Sequence, residues 1–314
     1  MASDVRRAGK QRKIDPNLKG FPANMEKDRH AKTREISLLL TCFAETSETE
    51  PRKVLLDHIL EAIPFGAHPQ SFIDDVEDAA LRLRLREGHG DFLNRRKLTR
   101  DLQKALETDS LDLETGVYLI SRLGGRTDLT LQEFRESLDE LASPLRERLS
   151  SVDDAMDRID LFQEYLFREK SFKGNTEDYY NPENSYLTSV LDSGKGIPVS
   201  LSVVAILVAR RVDLPLEGVN LPGHFIVRYD SPDLKLFLDP FNEGSYLTEE
   251  ECYHFLIRQG IQPESGYLST APAVTILKRM YRNLINYFSS TKNRALEKTL
   301  REHFAILEKH NPSL

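Results

Sequence analysis

The stretch Asn184–Phe241, NSYLTSVLDSGKGIPVSLSVVAILVARRVDLPLEGVNLPGHFIVRYDSPDLKLFLDPF, decides the reading of this chain. A Gly194-Lys195-Gly196-Ile197-Pro198 turn feeds a run, Val199 to Val212, that is apolar on most faces. Proline is suited to the first position of a helix, and a helix without a polar face is one buried on nearly all sides. The first-turn N–H groups of such a helix lack intrahelical partners and can hold an anion or a developing oxyanion. Ser200 lies in that turn.

Strand-like segments follow at Leu216–Asn220, Phe225–Tyr229 and Leu234–Leu238. Asp230-Ser231-Pro232-Asp233 has the composition of a hairpin turn. His224 and Asp239 lie on opposite arms of that hairpin at nearly equal distances from its centre, so a cross-strand contact is expected. A nucleophile at a helix start, then a His, then an Asp is a workable order for acyl transfer. The imidazole takes the nucleophile's proton, and the carboxylate fixes the tautomer and stabilises the cation. No cysteine lies between Cys42 and Cys252, so the thiol such a site would use is absent from the motif.

Four blocks, GNTEDYYNPENSYLTSVL, GIPVSLSVVAILVARRVDLPLEGVNLPGHFIVRY, LFLDPFNEG and ILKRMYRNLINYF, together resemble the SirB-type branch of the transglutaminase-like superfamily. The resemblance spans roughly Leu111 to Asn311 and implies a papain- or transglutaminase-like core. In its register, His224 and Asp239 fall on the superfamily's catalytic His and Asp. Pro198 falls on the catalytic Cys, and Ser200 is the nearest residue able to act as a nucleophile. Serine holds the position but ionises far less readily than a thiol.

Outward from this core, residues 1–31 lack periodicity and carry Arg6-Arg7 and Lys10-Gln11-Arg12-Lys13, with eight Lys/Arg against four Asp/Glu in the first thirty positions. They are expected to form a disordered basic tail, with contact to an acidic partner as the alternative. Residues 32–110 read as an N-terminal helical region: a helix from Lys32, another from Pro51 to Ile63, a third from Ser71 to Arg86, a break at Gly88-His89-Gly90, and a helix over Asp91–Leu106. Residues 111–270 hold the core and its leading helices, Leu113–Leu123, Leu131–Leu149 and Val152–Lys170. Capping boxes are expected at Thr130 and Thr248. Residues 271–314 read as a helical hairpin similar to one tetratricopeptide-like unit, with stripes Leu277/Met280/Tyr281/Leu284/Ile285/Phe288 and Leu296/Leu300/Phe304/Leu307. The fold class is therefore α+β, predominantly helical, with a central buried helix on a small antiparallel sheet.

The loop Gly174–Leu187 is rich in Asn, Tyr and Gly; its side chains are expected to satisfy local backbone, or to place Asn175 or Tyr179 in a cleft wall. Cys42 and Cys252 read as buried fillers, and no disulfide framework is expected. The formal charge of −7 argues against general nucleic-acid binding. The longest apolar stretch, Val203–Ala209, is too short to span a bilayer, and a cytoplasmic location is expected. No phosphate loop, dinucleotide fingerprint or HExxH is present, so neither a cofactor nor a metal is expected.

Two functions compete on these grounds. One is an atypical transglutaminase-like protein, a pseudoenzyme that keeps His224 and Asp239 and binds or regulates a protein or peptide. The other is an active hydrolase or acyltransferase in which Ser200, His224 and Asp239 act on an amide or ester. A purely structural core flanked by an interaction scaffold is a weaker third. Oligomeric state is not legible.

Overall fold

The computed structural model describes residues 26–62, 69–74, 76–232, 234–291 and 293–310. Most of the expected basic tail and Ile63 lie outside these. The chain falls into two compact units, residues 1–96 and 97–314.

In the first unit, α1 (Glu26–Glu45) starts earlier than the sequence suggests, and α2 (Thr49–Ala62) follows. The segment expected as one helix over 71–86 is divided into α3 (Pro69–Asp74) and the start of α4 (Ala79–Glu107). Asp78 explains the restart: its carboxylate accepts the N–H groups of Ala80 and Leu81, each at 3.0 Å, and caps the new helix. The break expected at Gly88-His89-Gly90 is absent, because α4 runs straight through it. Gly88 serves close approach instead; a Cβ there would sit 2.0 Å from Leu56 Cδ2. Ile36, Leu40, Phe43, Leu56, Ile59, Ile73 and Leu85 form the core of this unit. Cys42 is exposed rather than buried; it falls on the outer side of α1, away from Leu40 and Phe43.

In the second unit, α5 (Leu113–Leu123), α6 (Leu131–Leu149) and α7 (Ala155–Gln163) lead into a π-helical turn, Glu164–Glu169, that buries Tyr165, Leu166 and Phe167. The Thr130 capping box forms: the Thr130 hydroxyl accepts the Glu133 N–H at 3.2 Å and the Glu133 carboxylate accepts the Thr130 N–H at 2.8 Å. Two short parallel strands, β1 (Lys173–Gly174) and β2 (Lys195–Gly196), flank α8 (Leu187–Ser193).

The central helix is α9 (Pro198–Arg211), with Pro198 at its first position and every residue from Pro198 to Ala209 buried. It is enclosed by α6, α8, the later helix Ala273–Thr291 and the sheet strands Leu216–Val219 and Ile226–Asp230. Each fully buried Val or Leu of this helix contributes roughly 1.5–3 kcal/mol of transfer free energy, which is why a nearly all-apolar sequence is stable here and nowhere on the surface.

The sheet runs β3 (Leu216–Val219), β4 (Ile226–Asp230), β5 (Lys235–Asp239) and β6 (Ser245–Leu247), antiparallel throughout and in sequence order. The sequence reading anticipates the first three and misses β6. Helix α10 (Glu249–Arg258) follows with the expected Thr248 capping box. Then α11 (Ala273–Thr291) and α12 (Arg294–His310) pack on each other, α11 also touching α5 and α9. Among the described residues no helix is long and apolar enough to cross a membrane.

Candidate functional site

The entry to α9 sets the first wall. Ile197 is extended, at φ −101° and ψ 167°, and serves as the cap residue before Pro198. An isoleucine offers no capping oxygen to the first-turn N–H groups; only the reciprocal bond forms, with Ser200 Oγ accepting the Ile197 N–H at 3.1 Å. The Ser200 hydroxyl donates to the Asn184 carbonyl at 2.6 Å, with the Ile197 carbonyl also 3.1 Å away. Ser200 is 0 % exposed. Its hydrogen bonds thus run to the backbone of two other segments, and none of them reaches His224. Ser202 is equally buried, facing the Phe225 carbonyl at 3.4 Å.

His224 and Asp239 do meet. Leu221-Pro222-Gly223-His224 is a β-turn closed by the His224 N–H on the Leu221 carbonyl at 3.1 Å, with Gly223 at φ +78°. Proline second and a left-handed glycine third are what a type II turn requires. The turn delivers His224 two residues ahead of Ile226. Ile226 is in line with Asp239, one step beyond the Val227–Leu238 pair, so even spacing puts the two side chains on one face as diagonal neighbours. Their Nε2–Oδ2 distance is 2.7 Å.

Asp239 is held from below as well. It caps a short 3-10 turn, Pro240–Asn242, through Oδ1, which accepts the N–H groups of Phe241 at 3.1 Å and Asn242 at 3.3 Å. The Asn242 amide donates to Oδ2 at 2.7 Å. Burial alone would raise this carboxyl, but the hydrogen bonds and charge of His224 and the donors of Asn242 outweigh it and keep Asp239 below the usual carboxylate range. The pair is thus an imidazole beside a fixed carboxylate, 13 % and 6 % exposed.

A cleft of about 470 Å³ opens over this pair. Pro198 and His224 line it together with the rings of Tyr179, Phe241 and Phe255, and α10 closes it with Cys252 and Arg258. Ser200 is not among the lining residues, whereas Pro198, in the position the resemblance gives to the nucleophile, is. The thiol of Cys252 reaches the cleft, but burial, aided by the charges of Glu251, Asp239 and Glu249, pushes it up to about 12, the opposite of an activated nucleophile.

Of the loop residues singled out from sequence, Tyr179 lines the cleft and Asn175 does not. Asn175 donates to the Asn184 side chain at 2.9 Å, and the Asn184 amide in turn binds the carbonyls of Asp178 and Tyr179 at 2.7 and 3.1 Å. Asn175 thus serves loop structure and also lines a separate pocket of about 450 Å³ with Lys195 and Phe241, while Tyr179 is a wall of the cleft at His224. The contribution of α10 was not legible. Cys252, Phe255 and Arg258 share a helical spacing, yet nothing in their types points to the cleft. Among the described residues no cluster of three or more His, Cys, Asp or Glu is arranged to hold a metal.

Comparison with known proteins agrees with this core. A transglutaminase-like superfamily model matches residues 132–282. A UPF0162 protein of Xylella fastidiosa is 34% identical over 197 residues, which are 59% of this chain and 68% of that protein. A UPF0162 protein of Pseudomonas aeruginosa is 37% identical over 153 residues, 47% of this chain and 56% of its own. F-box only protein 21 of Homo sapiens is 26% identical over 226 residues, covering 62% of this chain but 36% of that protein. No solved structure gives a significant match. At 34% identity to a relative of which it covers 68%, this chain belongs to the UPF0162 family within the transglutaminase-like superfamily.

Proposed function

We propose that this chain is a SirB-type, non-catalytic transglutaminase-like protein whose cleft binds a protein or peptide. One observation carries the reading: Pro198, which has no ionisable or nucleophilic atom, lines the cleft beside His224, while the candidate nucleophile, Ser200 Oγ, is buried and engaged by Asn184 and Ile197. A general base needs a proton to take within hydrogen-bond reach, and His224 has no such donor from α9. The His224–Asp239 bond then serves as a rigid floor, with the cap on Phe241 fixing one aromatic wall. The transglutaminase-like resemblance and the exposed Tyr180 at the rim support a binding role.

The rival hydrolase or acyltransferase, with Ser200, His224 and Asp239 acting in sequence, draws on the well-oriented His–Asp pair. It requires Ser200 to give up the Asn184 carbonyl and turn into the cleft. The test is turnover of a p-nitrophenyl ester and of a glutamine-containing peptide with an amine acceptor, by the wild type, Ser200→Ala and His224→Ala. Background rates, alike in all three, are expected. Wild-type turnover lost in both variants would establish the enzyme instead.

A further inference from the structure

The cleft over His224 is walled by rings that meet at steep angles. Tyr179 and Phe241 are 5.9 Å apart between centroids with their planes at 74°, Phe241 and His224 are 6.3 Å apart at 89°, and Phe255 lies 5.4 Å from His224. Phe241 is backed by Gly174, where a Cβ would come within 2.6 Å of the ring. Perpendicular rings around one space offer it π-faces as well as edges, and the faces carry partial negative charge.

Two carboxylates line the same space. Asp239 stays below the usual carboxylate range despite its burial, through His224 and Asn242. The Thr248 N–H, at 2.8 Å, and the Thr248 hydroxyl hold Glu251 below that range too. Their charges converge on Cys252 in the cleft wall: after burial, the largest influences that push this thiol up are Glu251, Asp239 and Glu249, all negative. Arg258 is the one Lys or Arg among the described lining residues, and it stands seven positions beyond Glu251 on α10, about 10 Å along the helix axis. The part of the cleft between the rings and the first turn of α10 is therefore suited to a cation.

Hydrogen bonding narrows the kind of cation. Asp239 Oδ1 already accepts the N–H groups of Phe241 and Asn242, and Oδ2 lies 2.7 Å from both His224 Nε2 and the Asn242 amide. A primary ammonium set on this floor would give up water without finding acceptors for its three N–H groups. A quaternary ammonium has no N–H to satisfy and is held by aromatic faces and a nearby negative field. We infer that the cleft takes a quaternary ammonium group, that of a trimethylated lysine on a protein partner, seated among Tyr179, Phe241 and Phe255 above Asp239. The inference rests on the reading of the cleft as a protein- or peptide-binding site. A volume of about 470 Å³ admits the trimethylammonium head and its methylene stem.

The probes are alanine-based heptapeptides with trimethyl-lysine at the centre, beside copies carrying unmodified lysine or the neutral carbon isostere, in which a tert-butyl group replaces trimethylammonium. Choline forms a separate arm, and binding to the full chain is read by calorimetry. The wild type is expected to bind the trimethyl-lysine peptide about tenfold or more tightly than either copy. Phe255→Leu should shrink the preference over the neutral isostere while changing the isostere's own affinity little. Neutral and trimethylated peptides bound equally by the wild type would overturn the inference and leave the cleft a peptide site, a comparison that needs no variant to fold. A preference for unmodified lysine, or one over the isostere that is undiminished in Phe255→Leu, also overturns it. Choline bound while no peptide binds keeps the quaternary ammonium, assigns it to a free small molecule and overturns the peptide reading alone. No binding of any probe removes both.

Discussion

Two histidines of the second unit are each held at both ends or by a strong partner, yet they do different things. His224 sits at a cleft floor, 13 % exposed, bonded to a carboxylate that remains ionised. His303 of α12 is 0 % exposed, with Nε2 2.9 Å from the Thr99 hydroxyl and Nδ1 3.0 Å from the Tyr281 hydroxyl. Two neutral hydroxyls cannot compensate an imidazolium, so burial drives His303 down to about 4. Hydroxyls on both nitrogens make a structural lock between helices. A carboxylate on one nitrogen and a place in the cleft wall make a candidate site. The partner's charge and the exposure of the free edge, more than the presence of a hydrogen bond, separate the two.

That contrast can be broken or sharpened by experiment. The largest effect belongs to His303. Its folded pKa lies below the ordinary 6.5, so between pH 6.5 and about 4 the unfolded chain binds more protons than the folded one. Stability is fully present above pH 6.5 and falls as pH drops, by up to about 3 kcal/mol at pH 4 on a cost of about 1.4 kcal/mol per unit. Urea unfolding of the second unit's signal at pH 7 and pH 4.5 should show the loss, and His303→Gln should flatten it. An unchanged slope in that variant would place the acid sensitivity elsewhere.

Next comes Asp239→Ala, which removes a helical cap and the partner of His224 together. A cost of about 2 kcal/mol at pH 7 is expected from unfolding midpoints. Because this carboxyl lies below its ordinary 3.8, its contribution is present above pH 3.8 and is lost only as pH falls through the lower folded value, a window separate from that of His303. Smallest is His224→Ala, at less than about 1 kcal/mol, since Asp239 keeps Asn242 and two backbone N–H groups and the side chain faces a cleft. If His224→Ala cost as much as Asp239→Ala, the imidazole would be a structural lock like His303, and the distinction drawn here would fail.

The sequence made much of this core readable, for identifiable reasons. The α5 and α6 bounds and the capping boxes at Thr130 and Thr248 follow from local chemistry, where a hydroxyl and a carboxylate three residues apart leave little choice. The His224–Asp239 contact was legible because the hairpin's register is set by its own turn. What escaped depended on distant packing. Gly88 looks like a break, and only Leu56, thirty-two positions away, shows why a glycine continues the helix. Ser200 was correctly placed in the first turn, but its commitment to Asn184 comes from a loop that the sequence does not bring near. His303 lies on the face of Leu300 and Leu307, so its burial could have been read from helical spacing; its polarity drew attention away from the stripe.

The central claim, that the cleft holds no working nucleophile, is tested most directly by intact-mass spectrometry after incubation with a fluorophosphonate. An account in which Ser200 is buried and bound to the Asn184 carbonyl predicts no adduct on Ser200 in the wild type and no difference in His224→Ala. One stoichiometric adduct mapped to Ser200 and lost in His224→Ala would contradict it and establish the triad.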